Sequence, residues 1–217
     1  MNLNHWIVRL YPFKSIGRRI YLHGSRKAKK IALSFDDGPS EKTEGIIKIL
    51  KKYYVKGTFF VVGNKVIRNE KTMKKITMGG HEIGNHTYNH TRLLFKSKGL
   101  IKKEIEKTDK VLSKRDIKTK LFRPPYSKFG LGLLAVSKKL NKKIILMDVA
   151  PRDFEDLFTE EVVKFILRYT KPGSIIDLHD SGWVGRKSDI PLILKKIIPT
   201  LQKKGYEFVT VSELLEL

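Results

Sequence analysis

The feature that most constrains this 217-residue chain is its alternation. From residue 29 onward, short apolar runs of strand length alternate with longer stretches whose apolar residues recur at helical spacing. Lys30–Phe35, Thr58–Val62, Glu82–Gly84, Lys120–Arg123, Ile144–Asp148, Ser174–Leu178 and Tyr206–Thr210 read as strands. Thr43–Tyr54, Lys65–Met78, Leu100–Lys114, Phe129–Leu140, Glu160–Tyr169 and Asp189–Lys203 read as helices. Ile46, Ile47, Ile49 and Leu50 form the apolar stripe of the first helix. Thr159 is placed to cap the fifth, ahead of Glu160 and Glu161. Such a repeat needs crossover connections, hence a parallel sheet with helices outside it. Two closures remain, an open doubly wound sheet or a barrel. A full eightfold barrel takes roughly 250 residues, so a barrel here is short or incomplete. No Gly-x-Gly-x-x-Gly follows the first strand and no phosphate-cradling Gly-x-x-x-x-Gly-Lys-Ser/Thr occurs, which disfavours a nucleotide-binding sheet.

The chemistry-bearing residues fall at one end of these strands. Asp36 and Asp37 follow the first strand, His86 and His90 the third, Arg123 ends the fourth, Asp153 follows the fifth and His179 the sixth. The carboxyl rim of a parallel sheet or barrel is where active sites are built. Singly, each has an ordinary reading. Asp36-Asp37-Gly38-Pro39 has the composition of a turn. Yet it ends a buried strand, where two adjacent carboxylates are costly without a cation. His86 and His90 are spaced i, i+4, so on one helical turn both imidazoles reach a single ion. With Asp37 they make a two-His, one-carboxylate set with open positions, suited to zinc first and also to cobalt, nickel or manganese. The chain has no cysteine, which removes disulfides, iron–sulfur clusters and thiol nucleophiles and leaves metal binding to His, Asp and Glu. His81-Glu82-Ile83-Gly84-Asn85 mimics His-Glu-x-x-His, but its last position is Asn, so a zinc protease is rejected.

Taken together these segments resemble the polysaccharide deacetylases of the NodB-homology type, carbohydrate esterase family 4. Ser34-Phe35-Asp36-Asp37-Gly38 resembles their first motif, Gly80 to His90 the second and Arg123-Pro124-Pro125-Tyr126 the third. Asp153-Phe154 falls where the fourth ends in Asp-Trp, and Leu178-His179-Asp180 falls at the fifth. The resemblance covers residues 30–210 and implies a distorted, incomplete (β/α) barrel of about seven strands with outer helices. It implies that Asp37, His86 and His90 hold the metal and that Asp36 is the general base. Tyr126 would offer its backbone N–H to the oxyanion and His179 would protonate the leaving amine. Arg123 would hold Asp36, and Asp153 would orient His179. The implied reaction is metal-dependent hydrolysis of an N-acyl group, most simply acetyl, from an amino sugar in a polysaccharide, oligosaccharide or lipid-linked saccharide. Three positions depart from the pattern. Ala150 stands where the fourth motif begins with Asp, Phe154 replaces its Trp, and Asp177 replaces the Leu of Leu-x-His. By strand alternation Asp177 shares a face with His179, where the family Leu lines the acyl pocket.

Lys and Arg number 45 against 22 Asp and Glu, a formal charge of +23. That balance fits an anionic membrane face or an acidic glycan. No helix-turn-helix, RNP or zinc-finger pattern supports nucleic acid. Residues 1–28 read as a basic, aromatic arm (Trp6, Arg9, Tyr11, Phe13, Lys14, Arg18, Arg19 and Tyr21) and 29–217 as a single NodB-like domain, expected to be monomeric. No run approaches the ~18–20 apolar residues of a membrane span, and the N-terminus lacks a signal peptide's apolar stretch. A cytoplasmic or membrane-peripheral location is the expectation. The alternative from another class is a non-catalytic module binding carbohydrate or polyanion on the same fold, which Ala150 and Asp177 allow.

Overall fold

A computed structural model of the chain describes residues 19–180 and 187–217. The expectations that rest on Trp6, Arg9, Tyr11, Phe13, Lys14 and Arg18 lie outside the described residues. The expected strands are present as β2 (Lys30–Asp36), β3 (Thr58–Val61), β4 (Glu82–Asn85), β5 (Leu121–Phe122), β6 (Lys143–Ile145), β7 (Ile175–His179) and β8 (Glu207–Val209). A further strand, β1 (Ile20–Tyr21), lies within the segment read as an arm and pairs with β6. It is too short to carry a strand period, so the sequence pattern passes over it. The strands run β1-β6-β5-β4-β3-β2-β7, with β8 also on β2, and these pairings are parallel. The chain beyond β6 then bends across to β7. Val149 bridges Ile176, and the Asp177 N–H donates to the Val149 carbonyl at 2.9 Å. This seam makes the sheet an incomplete α/β barrel, the expected class.

Helices α1 (Thr43–Lys52), α2 (Gly63–Arg68), α3 (Glu70–Met78), α4 (Lys98–Ser113), α5 (Leu131–Lys139), α6 (Thr159–Tyr169), α7 (Ile190–Lys203) and α8 (Val211–Leu215) accompany the strands. The single helix expected over Lys65–Met78 is two. Asn69 leaves helical geometry (φ −123°, ψ 47°), and its side chain donates to the carbonyls of Lys65 (3.0 Å) and Pro39 (3.2 Å). A short polar side chain that competes for backbone groups breaks a helix in this way. Thr159 is not the cap of α6 but its first residue. Phe158 is the cap, its N–H held by Glu161 at 2.8 Å, while the Thr159 hydroxyl accepts the N–H of Asp189 at 3.0 Å. Among the described residues no helix is long and apolar enough to cross a membrane.

Strand alternation sorts β2 onto two faces. Ile31, Leu33 and Phe35 pack outward in one buried cluster with Ile46 and Leu50 of α1 and Ile193 and Ile197 of α7. Ala32, Ser34 and Asp36 face the barrel interior, and the register pairs them with Ile175, Asp177 and His179 of β7. The interior therefore fills in layers, as barrels do. The floor is apolar, with Ala32, Phe60, Leu121, Ile145, Ile175 and Val209. A charged layer of Ser34, Asp177 and Arg123 sits above it, and the reactive rim of Asp36 and His179 above that. Gly84 on β4 leaves the space that Phe60 fills, since a Cβ there would stand 2.3 Å from the Phe60 ring. Phe60 in turn supports the Arg123 guanidinium, 4.0 Å from its ring centroid.

Candidate active site

The structure brings the eight predicted site residues to the carboxyl rim. Asp36 is the last residue of β2, and Asp37 follows it in left-handed conformation (φ 74°). That turn swings the two carboxylates apart. The Asp37 Oδ1 approaches His90 Nε2 (2.9 Å) and His86 Nε2 (3.4 Å), while Asp36 Oδ1 accepts from Arg123 Nη1 (2.7 Å). Gly38 is required beneath the turn, because any Cβ there would meet the Asp180 carboxylate at 2.1 Å. The Lys65 ammonium donates to the Asp37 carbonyl at 2.8 Å and fixes it from α2.

His86 and His90 are not on the helical turn that their spacing suggests. They bracket a loop in which Thr87 (φ 65°) and His90 (φ 58°) are both left-handed. His86 is buried, and its Nδ1 meets the Arg123 carbonyl at 2.8 Å. That contact makes Nδ1 the protonated nitrogen and turns the Nε2 lone pair into the site. Burial lowers the His86 pKa, but the charges of Asp36 and Asp37 and the bond to Asp37 outweigh it, and the net shift is upward. Burial likewise pushes Asp37 up, but the bonds and charges of His86 and His90 hold it well below the usual carboxylate range. The pocket thus draws positive charge to one point. Ligand atoms of Asp37, His86 and His90 all lie within 4.8 Å of one another. One carboxylate and two imidazoles with an oriented tautomer fit a divalent cation.

On the other side, Asp153 is fully buried beyond the Val149 seam. Its Oδ1 receives His179 Nδ1 at 2.9 Å and its Oδ2 the His179 N–H at 3.0 Å. The Ser188 hydroxyl holds the Asp153 carbonyl at 2.8 Å. The Phe154 ring stands edge-on to His179, 4.9 Å between centroids, so the replacement for Trp keeps an apolar wall. Tyr126 sits in a 3-10 turn (Pro125–Ser127) with φ 61°, and its ring packs 4.9 Å from His90. Left-handed residues are uncommon outside glycine, and Asp37, Thr87, His90 and Tyr126 all adopt that conformation at the site, where such strain is often held. Asp177 does not face an open acyl pocket unpartnered. Arg123 Nη1 donates to its Oδ1 at 2.6 Å. Burial and the nearby Asp36 push the Asp177 pKa up to about 6. The decoy His81 lies away from the rim. Its Nδ1 accepts the Gly57 N–H at 3.2 Å, and burial followed by the charge of Lys56 pushes its pKa down to about 4.

Sequence reasoning passed over the residues that shape the loop between the histidines. Glu104 of α4 is buried and accepts the N–H groups of Tyr88 (3.1 Å) and Asn89 (2.9 Å) and the Asn89 side-chain amide (3.1 Å). Asn85 accepts the Thr87 N–H at 2.9 Å. The available signal was a carboxylate in register with the apolar stripe Ile101, Ile105 and Leu112 of α4. Glu104→Ala leaves the N–H groups of Tyr88 and Asn89 without their acceptor. Metal affinity is expected to fall roughly 10- to 100-fold, the usual cost of losing outer-shell support. Competition with a fluorescent chelator measures it, and an unchanged affinity would refute the role.

Comparisons with known proteins identify the family. The sequence profile of the polysaccharide deacetylase family matches residues 23–145, more than half of the chain. A peptidoglycan-N-acetylglucosamine deacetylase of Bacillus cereus is 36% identical over 190 residues, covering 86% of this chain and 88% of that one. The crystal structure of the Bc1960 peptidoglycan N-acetylglucosamine deacetylase superposes with a TM-score of 0.87 at 29% identity, covering 100% of this chain and 98% of that one. A family 4 acetyl xylan esterase from Clostridium thermocellum, solved with a cobalt ion, gives 0.77 at 33% identity, covering 85% and 89%. The chain belongs to the polysaccharide deacetylase family, carbohydrate esterase family 4, and is a hydrolase of that kind.

Proposed function

We propose that the protein removes the acetyl group from N-acetylglucosamine residues of peptidoglycan, with a divalent cation, zinc in the first instance, held by Asp37, His86 and His90. The observation that carries the reading is the register of β2 on β7, which sets Asp36 against His179 beside the Asp37–His86–His90 cluster. The cation, when bound, supplies Lewis-acid polarisation of the amide carbonyl and acidifies the attacking water. Asp36 takes the proton of that water. Its Oδ1 is committed to Arg123, which leaves Oδ2 facing the cluster, 3.8 Å from His86 Nε2. Tyr126 offers its backbone N–H to the developing oxyanion. His179 keeps Nδ1 on Asp153 and gives the proton on Nε2 to the departing nitrogen as the C–N bond breaks. Acetate and the free amine result. A proton donor matters more for an amine leaving group than for an alcohol, which favours N- over O-deacetylation. The peptidoglycan assignment draws support from the relatives described above.

Acetate release with mass-spectrometric product analysis tests it, on peptidoglycan fragments, N-acetylglucosamine oligomers and acetylated xylan. Loss of one acetyl group from the peptidoglycan fragments is expected. Turnover should vanish on treatment with a strong chelator and return on adding zinc or cobalt. Turnover of xylan alone would sink the substrate, and turnover unaffected by the chelator would sink the metal.

A further inference from the structure

The reaction above leaves Asp177 without a task, although it is buried at the centre of the charged layer. We propose that Asp177 is a positioning residue that fixes the Arg123 guanidinium from β7 and through it aims the carboxylate of Asp36. The inference rests on the reading of Asp36 as base.

Arg123 Nη1 has two protons and three acceptors: Asp177 Oδ1 at 2.6 Å, Asp36 Oδ1 at 2.7 Å and Ser34 Oγ at 2.9 Å. The Ser34 hydroxyl has the Ile176 carbonyl (3.0 Å) and Asp177 Oδ1 (3.3 Å) as acceptors for its own proton, so it receives from Arg123. The remaining donors are held less closely. Nε and Nη2 reach the carbonyls of Ile145 and Leu146, each at 3.3 Å. Nη1 is therefore located chiefly by the two carboxylates. Asp36 is gripped by Arg123 at one oxygen only, so the direction of its Oδ2 depends on where Nη1 stands. Asp36 cannot set that position alone, because it is the group being aimed. Beside the neutral contacts from Ser34 and the Phe60 ring, the charged anchor independent of Asp36 is Asp177, two residues before His179 on the same strand. One buried residue thereby ties the base to the strand that carries the acid. The departures at Ala150 and Asp177 also fall side by side, since the Asp177 N–H donates to the carbonyl of Val149. A carboxylate missing from one strand end is present on its neighbour.

Asp177→Leu and the near-isosteric Asp177→Asn test this by two readouts. One is the kcat and KM of deacetylation. The other is hydrogen exchange of the Arg123 Nε–H by 15N NMR, which needs no substrate. Asp177→Leu is expected to lower kcat tenfold or more with KM within about twofold, and to speed Arg123 exchange. Asp177→Asn keeps the acceptor oxygen and should recover the slow exchange and most of kcat. Wild-type kcat with unchanged Arg123 exchange in the Leu variant would overturn the proposal. A raised KM at unchanged kcat would also overturn it, since Asp177 would then be touching substrate. Should the wild-type protein turn over none of the acetylated sugars, the functional reading fails, while the exchange measurement still decides whether Asp177 anchors Arg123.

Discussion

Asp36→Asn is expected to cut deacetylase turnover roughly 100- to 10,000-fold, the range for removing a general base, while leaving the metal bound. The side chain keeps its shape, and the amide oxygen still accepts from Arg123 Nη1, now 2.7 Å from Asp36 Oδ1. What is lost is the carboxylate able to take a proton. The proposed ligands Asp37, His86 and His90 are untouched, so metal content by mass spectrometry should match the wild type. Arg123 retains Asp177 as counter-charge, so the thermal midpoint should move by only a few degrees. Retention of a tenth or more of the wild-type rate would remove Asp36 from the role of base. Loss of metal together with activity would make it a ligand instead.

Arg123→Met should give the opposite signature, a failure of stability first and of activity through it. Arg123 is fully buried, and its donors serve Ser34, Asp36, Asp177 and the carbonyls of Ile145 and Leu146. Methionine fills much of the volume over Phe60 but donates nothing. Two buried carboxylates then face each other without a cation. Stripping one partner from a buried ion pair typically costs about 3–5 kcal/mol. That is a large share of the 5–15 kcal/mol of an ordinary domain. For a chain of this length it corresponds to a drop of roughly 6–20 °C in the thermal midpoint. The double variant Arg123→Met/Asp177→Leu removes one of the stranded charges and should regain part of the loss. Urea melts of the two variants measure the difference. Equal stability of Arg123→Met and the wild type would mean that this layer contributes nothing net to the fold.

The rim was legible in the sequence because strand ends are. Once β2 is read as a buried strand, Asp36 and Asp37 must emerge at its carboxyl end, and the same logic places His179 and Arg123. The imidazole pair was also legible, but for an imperfect reason. The i, i+4 spacing suggested a helical turn, whereas a left-handed loop held by Glu104 brings the rings together, 5.1 Å between centroids. That loop depends on a carboxylate fifteen residues downstream, which no local pattern reveals. Asp177 was recognised as anomalous, but its partner Arg123 lies 54 residues away, and only the closed barrel joins them. The break at Asn69 and the two-residue β1 fell below the length that periodicity resolves.

The pairing of β2 with three strands has a consequence for the order in which the site is assembled. One neighbour, β3, follows within the next few dozen residues, whereas β7 and β8 arrive more than 130 residues later. Chains emerge from the ribosome N-terminal end first, and distant pairings form slowly. The stretch from Asp37 to His90 is thus synthesised well before Arg123, and Arg123 well before Asp177 and His179. A nascent chain holds its proposed cation ligands before it holds the proposed proton donor, so on this assignment hydrolytic competence waits on the last strands to leave the ribosome.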